Sequence, residues 1–130
     1  MSKQRKLFVK LQHKKRSILL GFMIIAVCMV KVPDTDSNIN LPNFDKAVHF
    51  LMYFLLSAIY VYESSKNKSL SVFLINFKSV VYCALLAAAV ELAQGMLTTT
   101  RSADFWDFLA GVAGAIMGCL AIGLIRRAFQ

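Results

Sequence analysis

Charge is scarce in this sequence. Only 17% of its 130 residues are charged, against roughly 25% in an ordinary soluble domain. Whole stretches lack it: Ser17 to Val30, Ala47 to Tyr62 and Phe108 to Ile125 carry none, and Ser79 to Leu97 carries only Glu91. What remains between these blocks is too short to build a water-soluble domain. Cysteine is equally uninformative as chemistry. The three cysteines, Cys28, Cys83 and Cys119, fall in different apolar blocks without a CxxC spacing, which excludes a zinc finger and leaves buried packing thiols. No internal repeat or low-complexity segment is present. No small-x-small site follows the first block, so a cleaved signal peptide is not expected.

Apolar residues are abundant, at 58%, and they come in blocks. A bilayer core about 30 Å thick takes roughly 17–25 helical residues, and somewhat shorter runs can span with snorkelling flanks. The four blocks predict an all-α integral membrane protein, a compact four-transmembrane-helix bundle. Its helices are expected near residues 17–32, 45–62, 79–97 and 104–125. Residues 1–16 form a basic tail and residues 17–130 the transmembrane domain. Pro33 stops the first helix. The apolar run from Leu70 to Phe77 is too short to span, and either lies in the interface or extends the third helix.

The formal net charge of +8 raises the question of nucleic acid, but its placement gives a different reading. Seven basic residues precede the first block; Lys66, Lys68 and Lys78 lie between blocks two and three, and Arg126 and Arg127 follow block four. Lys31, Lys46 and Arg101 are left for the other side, where Asp34, Asp36, Asp45, Asp104 and Asp107 gather. This positive-inside asymmetry puts both termini in the cytoplasm. No nucleic-acid partner is needed to explain it.

Charged groups inside apolar segments cost at least about 2.5–3.5 kcal/mol near the helix centre, so they mark pairing, hydration or function. Glu91 lies deepest, with Gln94 on the same face. Asp45, His49 and Tyr53 recur at i, i+4 and i+8 as one polar stripe, with Lys46 beside it. Asp104 and Asp107 share a face of the fourth helix, and Arg101 sits in the turn above. All nine belong to the outer half of the bundle. Lipid exposure of Glu91 and Asp107 would be costly, so the expected arrangement is a polar pocket open to the outside. Asp104 and Asp45 also read as helix-start residues, and His49 or Arg101 as structural hydrogen-bonding groups.

These residues resemble the VanZ-like membrane proteins. The segment Asp45-Lys46-Ala47-Val48-His49-Phe50, with Tyr53 following, is similar to the family's first signature. Glu91-Leu92-Ala93-Gln94, Arg101, Asp104, Asp107, Gly114 and Gly118 match the second in order and spacing. The resemblance implies a bacterial cytoplasmic (inner) membrane protein of the cell envelope. It also implies a link to low-level teicoplanin resistance without a change in the peptidoglycan precursor terminus. One position departs from it: the family often carries asparagine four residues after the aspartate matching Asp107, where this chain has Gly111.

The leading functional expectation is a binding or accessory protein. Its pocket would hold a membrane lipid, a lipid-linked precursor or a lipoglycopeptide. Arg101 and Lys46 would meet phosphate or carboxylate. The alternative is a membrane-embedded enzyme acting on a lipid-linked substrate, with Glu91 and His49 as acid and base. No serine or cysteine nucleophile lies among the polar residues. Purely structural polar packing is the third reading. No cofactor and no metal are assigned, although one histidine with Glu91 and Asp107 would suit a hard cation better than zinc. The small residues of the fourth helix, Gly114 and Gly118 above all, predict close packing inside the bundle, with a homodimer through the same face as the alternative.

Overall fold

The computed structural model describes residues 2–5, 14–29, 44–66, 69–97 and 103–129. All secondary structure among them is helical. Beyond a single turn at residues 3–5, the helices are α1 (Lys15–Met29), α2 (Phe44–Ser64), α3 (Val72–Leu97) and α4 (Phe105–Ala128). The last three are long and apolar enough to cross a membrane.

The surface supports the same setting. Leu85 and Leu92 on α3 and Leu120 and Leu124 on α4 are all more than half exposed. Burying such a side chain is worth about 1.5–3 kcal/mol, so a belt of them left in water would be costly. The interior is small-residue packing, where Cys83, Ala87 and Ala115 meet Ile24, Tyr53 and Leu56. The three cysteines are buried and none is joined in a disulfide among the described residues, which fits packing thiols.

α2 and α4 form the tightest pair. Gly114 lies against the Phe50 carbonyl, and Gly118 against the Phe54 carbonyl and the Ser57 hydroxyl, so closely that neither has room for a Cβ. The small-xxx-small face of α4 is therefore packed against α2 within the chain.

α3 departs most from expectation. It begins at Val72 rather than Ser79, because the apolar run after Leu70 continues the helix instead of lying flat. At 1.5 Å per residue its 26 residues reach about 39 Å, more than a bilayer core needs. α1 begins at Lys15, inside the expected tail. The residues that would carry it to 32 lie outside the described ones, as does the loop before α2. α2 runs on to Ser64, past the expected end at 62, so Glu63 belongs to the helix.

Glu63 is the reason α1 starts where it does. The first turn of a helix has backbone N–H groups with no partner inside the helix. Glu63 reaches across from α2 and accepts from the backbone N–H groups of Arg16 at 3.1 Å and Ser17 at 3.2 Å. Its negative charge also suits that end of the helix dipole. One turn earlier on α2, Tyr60 accepts a hydrogen bond from Lys14 Nζ at 2.7 Å, and the ammonium lies 4.1 Å from the ring centroid.

Candidate functional site

The N-terminus of α2, the C-terminal end of α3 and the N-terminus of α4 come together at the end opposite Glu63. Each contributes polar side chains for a local reason. α4 opens on Asp104, whose extended backbone and carboxylate cap the helix by accepting from the Trp106 N–H at 2.9 Å. That bond holds the Asp104 carboxyl below the usual aspartate range, with Lys46 adding to the effect. The Asp104 backbone N–H donates in turn to Glu91 Oε2 at 3.0 Å, so the start of α4 also fixes one oxygen of the α3 glutamate.

The other oxygen faces histidine. Glu91 Oε1 lies 3.5 Å from His49 Nε2, and both residues are buried, at 7% and 4% exposure. Asp107 approaches the imidazole from its other side, with Oδ2 3.8 Å from Nδ1. His49 Nδ1 stands 3.0 Å from the Asp45 carbonyl oxygen one turn earlier. At the rim, Lys46 Nζ reaches Asp104 at 3.4 Å and Asp107 at 3.5 Å, bridging α2 to α4. Glu91 Oε1 and His49 Nε2 are buried without a hydrogen-bond partner, and Asp107 Oδ1 has only its 3.5 Å ion pair with Lys46. An unsatisfied buried polar atom costs about 1–3 kcal/mol, so two facing each other in one cluster need an account.

The remaining candidates divide. Tyr53 lies one turn below His49 with its ring parallel and 6.4 Å away; it is fully buried, and its hydroxyl has no hydrogen-bond partner. Gln94 is buried but turned toward α1, where its amide donates to the Cys28 carbonyl at 3.1 Å. Asp45 has an exposed side chain and joins the cluster through its carbonyl alone. Arg101 lies outside the described residues.

A family comparison fixes the relationship. A model described as VanZ/LLP1 matches residues 2–126. The chain belongs to the VanZ/LLP1 family. No curated protein and no solved structure matches it. VanZ membership carries a general link to teicoplanin resistance and brings no ligand or reaction with it.

Gly111, the departure from the usual VanZ pattern, has a packing reason in this chain. A Cβ there would stand 2.8 Å from the Tyr53 ring, with Ala87 behind it at 3.5 Å. The phenol ring of α2 takes the space that a side chain at position 111 would need. Sequence reading also passed over Glu63, whose signal was an acid at a helix end amid basic residues.

Proposed function

We propose that this VanZ/LLP1 protein spans the bacterial cytoplasmic membrane with four helices. Residues 1–16 form a basic cytoplasmic tail and residues 17–130 the transmembrane domain, with both termini inside. Its polar end faces outward and binds the anionic headgroup of a lipid or lipid-linked envelope precursor, or the acidic groups of a lipoglycopeptide. The distribution of basic residues supports the orientation.

The observation that carries the binding reading is the pair of buried polar atoms without hydrogen-bond partners on His49 and Glu91, beside the Asp107 carboxylate and the Lys46 ammonium. A headgroup offers what those atoms lack. Its hydroxyl or amide hydrogens would donate to the carboxylates, and its phosphate would meet Lys46, joined by Arg101 from the turn. Tyr53 forms the floor under His49. Gln94, Asp45 and Asp104 hold the surrounding helix ends.

A second reading has one specific observation in its favour. A histidine and a glutamate 3.5 Å apart form an acid–base pair able to move a proton on a lipid-linked substrate. Susceptibility of a glycopeptide-sensitive host separates the two. Under binding through hydrogen bonds alone, Glu91→Gln keeps most of the protection that the wild type confers and Glu91→Ala loses it. Under proton transfer, the amide fails as badly as alanine. A wild type that changes nothing removes the resistance reading.

A further inference from the structure

Acceptors face acceptors at the centre of the polar cluster. His49 Nδ1 lies 3.0 Å from the Asp45 carbonyl oxygen, which can only accept, so this hydrogen bond puts the imidazole proton on Nδ1. In the neutral imidazole Nε2 then presents a lone pair, and it points at Glu91 Oε1 3.5 Å away. Glu91 has little freedom to turn aside, because its second oxygen is held by the Asp104 N–H. A lone pair and a carboxylate oxygen so placed repel unless a proton or a metal cation lies between them.

The charges point the same way. With all three carboxyls ionised, Glu91, Asp104 and Asp107 bring three negative charges, and Lys46 is the cation paired with them among the described residues, leaving two in excess. His49 and Glu91 are both more than nine-tenths buried, where water screens that excess poorly. One donor atom each from His49 (either ring nitrogen), Glu91 and Asp107 lies within 4.8 Å of the others, and the Asp107 carboxylate, now 3.8 Å from Nδ1, would turn toward Nε2 to share an ion there. Oxygen donors at about 2.1–2.4 Å from an ion stand up to about 4.2–4.8 Å apart when opposite, so the three close on an ion with small movements. The Nδ1–carbonyl hydrogen bond is also the usual outer contact of a metal-bound histidine.

We propose that His49 Nε2 and the carboxylates of Glu91 and Asp107 bind one divalent cation. One nitrogen and two carboxylates suit Mn²⁺ better than a thiolate-seeking ion, and the imidazole favours it over Mg²⁺. Three protein donors leave coordination positions open for water or a phosphate oxygen. The cation thus deepens the headgroup reading, on which it rests: it supplies the positive charge to which an anionic ligand binds.

The test uses the full chain in detergent micelles, stripped with chelator and free of added lipid. Mn²⁺ is titrated while the paramagnetic resonance signal of the free ion is followed. The expected result is one Mn²⁺ per chain, with nitrogen modulation of the bound ion from the imidazole. Glu91→Gln and Asp107→Asn should each weaken uptake by at least about tenfold, and His49→Ala should remove the modulation. Wild-type protein that takes up no stoichiometric Mn²⁺ up to about millimolar concentration overturns the proposal. So does uptake that folded variants leave unchanged. The wild-type titration decides even if a variant misfolds. Because no headgroup is added, loss of the metal site and loss of headgroup binding are read separately.

Discussion

Glu63 and Ser17 are joined twice: Glu63 Oε2 accepts from the Ser17 backbone N–H at 3.2 Å and from its hydroxyl at 2.9 Å. The pair is buried and links residues 46 positions apart. It fastens the start of α1 to the end of α2 at the pole of the bundle farthest from the polar cluster. Hydrogen bonds to charged groups are worth about 1.5–3 kcal/mol, and the leftover donors would be buried. Glu63→Ala is therefore expected to lower stability by about 2–4 kcal/mol, read from thermal unfolding in detergent, and Glu63→Gln by less. Equal stability of all three forms would show that α1 docks without this pair.

The α2–α4 contact predicts a contrast between glycines. Gly114→Ala drives a methyl into the Phe50 carbonyl, which is backbone and cannot swing away. Overpacking of this kind costs about 1–3 kcal/mol. Gly123 has nothing within 4 Å of its would-be Cβ, and Gly123→Ala should leave the unfolding midpoint unchanged or slightly raised.

Gly111 and Tyr53 should be energetically coupled, since the ring occupies the space of a side chain at 111. Gly111→Asn alone is expected to cost about 1–3 kcal/mol. In a Tyr53→Ala background, where the space is open, the same change should cost less. A double-mutant cycle measures the difference, and strict additivity would contradict the packing account.

Asp104 gives a pH signature. Its carboxyl sits below the ordinary aspartate value, chiefly because it accepts the Trp106 N–H. A depressed folded-state pKa means that the stabilisation is complete above the unfolded value of about 3.9 and fades as pH falls through the folded one. Asp104→Asn caps without ionising. The difference in stability between wild type and Asp104→Asn should therefore shift only in acid, and a difference that stays flat from neutral pH to acid would remove the cap's ionic character.

Block hydropathy made the helices legible, and the cost of leaving Glu91 and Asp107 in lipid suggested which ends of α3 and α4 are polar. Other features depend on contacts that periodicity does not encode. The extension of α3 back to Val72 turned on whether the run after Leu70 lies flat or continues the helix, and hydropathy is the same for both. Glu63 lies just past the expected end of α2, and its partners, Arg16 and Ser17, are remote in sequence. Gln94 shares its face of α3 with Glu91, yet its amide is turned toward Cys28 of α1. The facing of His49 Nε2 and Glu91 Oε1 depends on a backbone N–H of Asp104, which no side-chain pattern announces.

Headgroup binding by the cluster of His49, Glu91, Asp107 and Lys46 is tested most directly by mass spectrometry of the intact protein released from detergent. Anionic phosphatidylglycerol is compared with zwitterionic phosphatidylethanolamine. The account predicts retained anionic lipid on the wild type, a loss of at least about tenfold in Lys46→Ala and Glu91→Ala, and no loss in Gly123→Ala. Equal retention of both lipids, or of anionic lipid by wild type and the two site variants alike, would contradict it and leave the cluster as architecture.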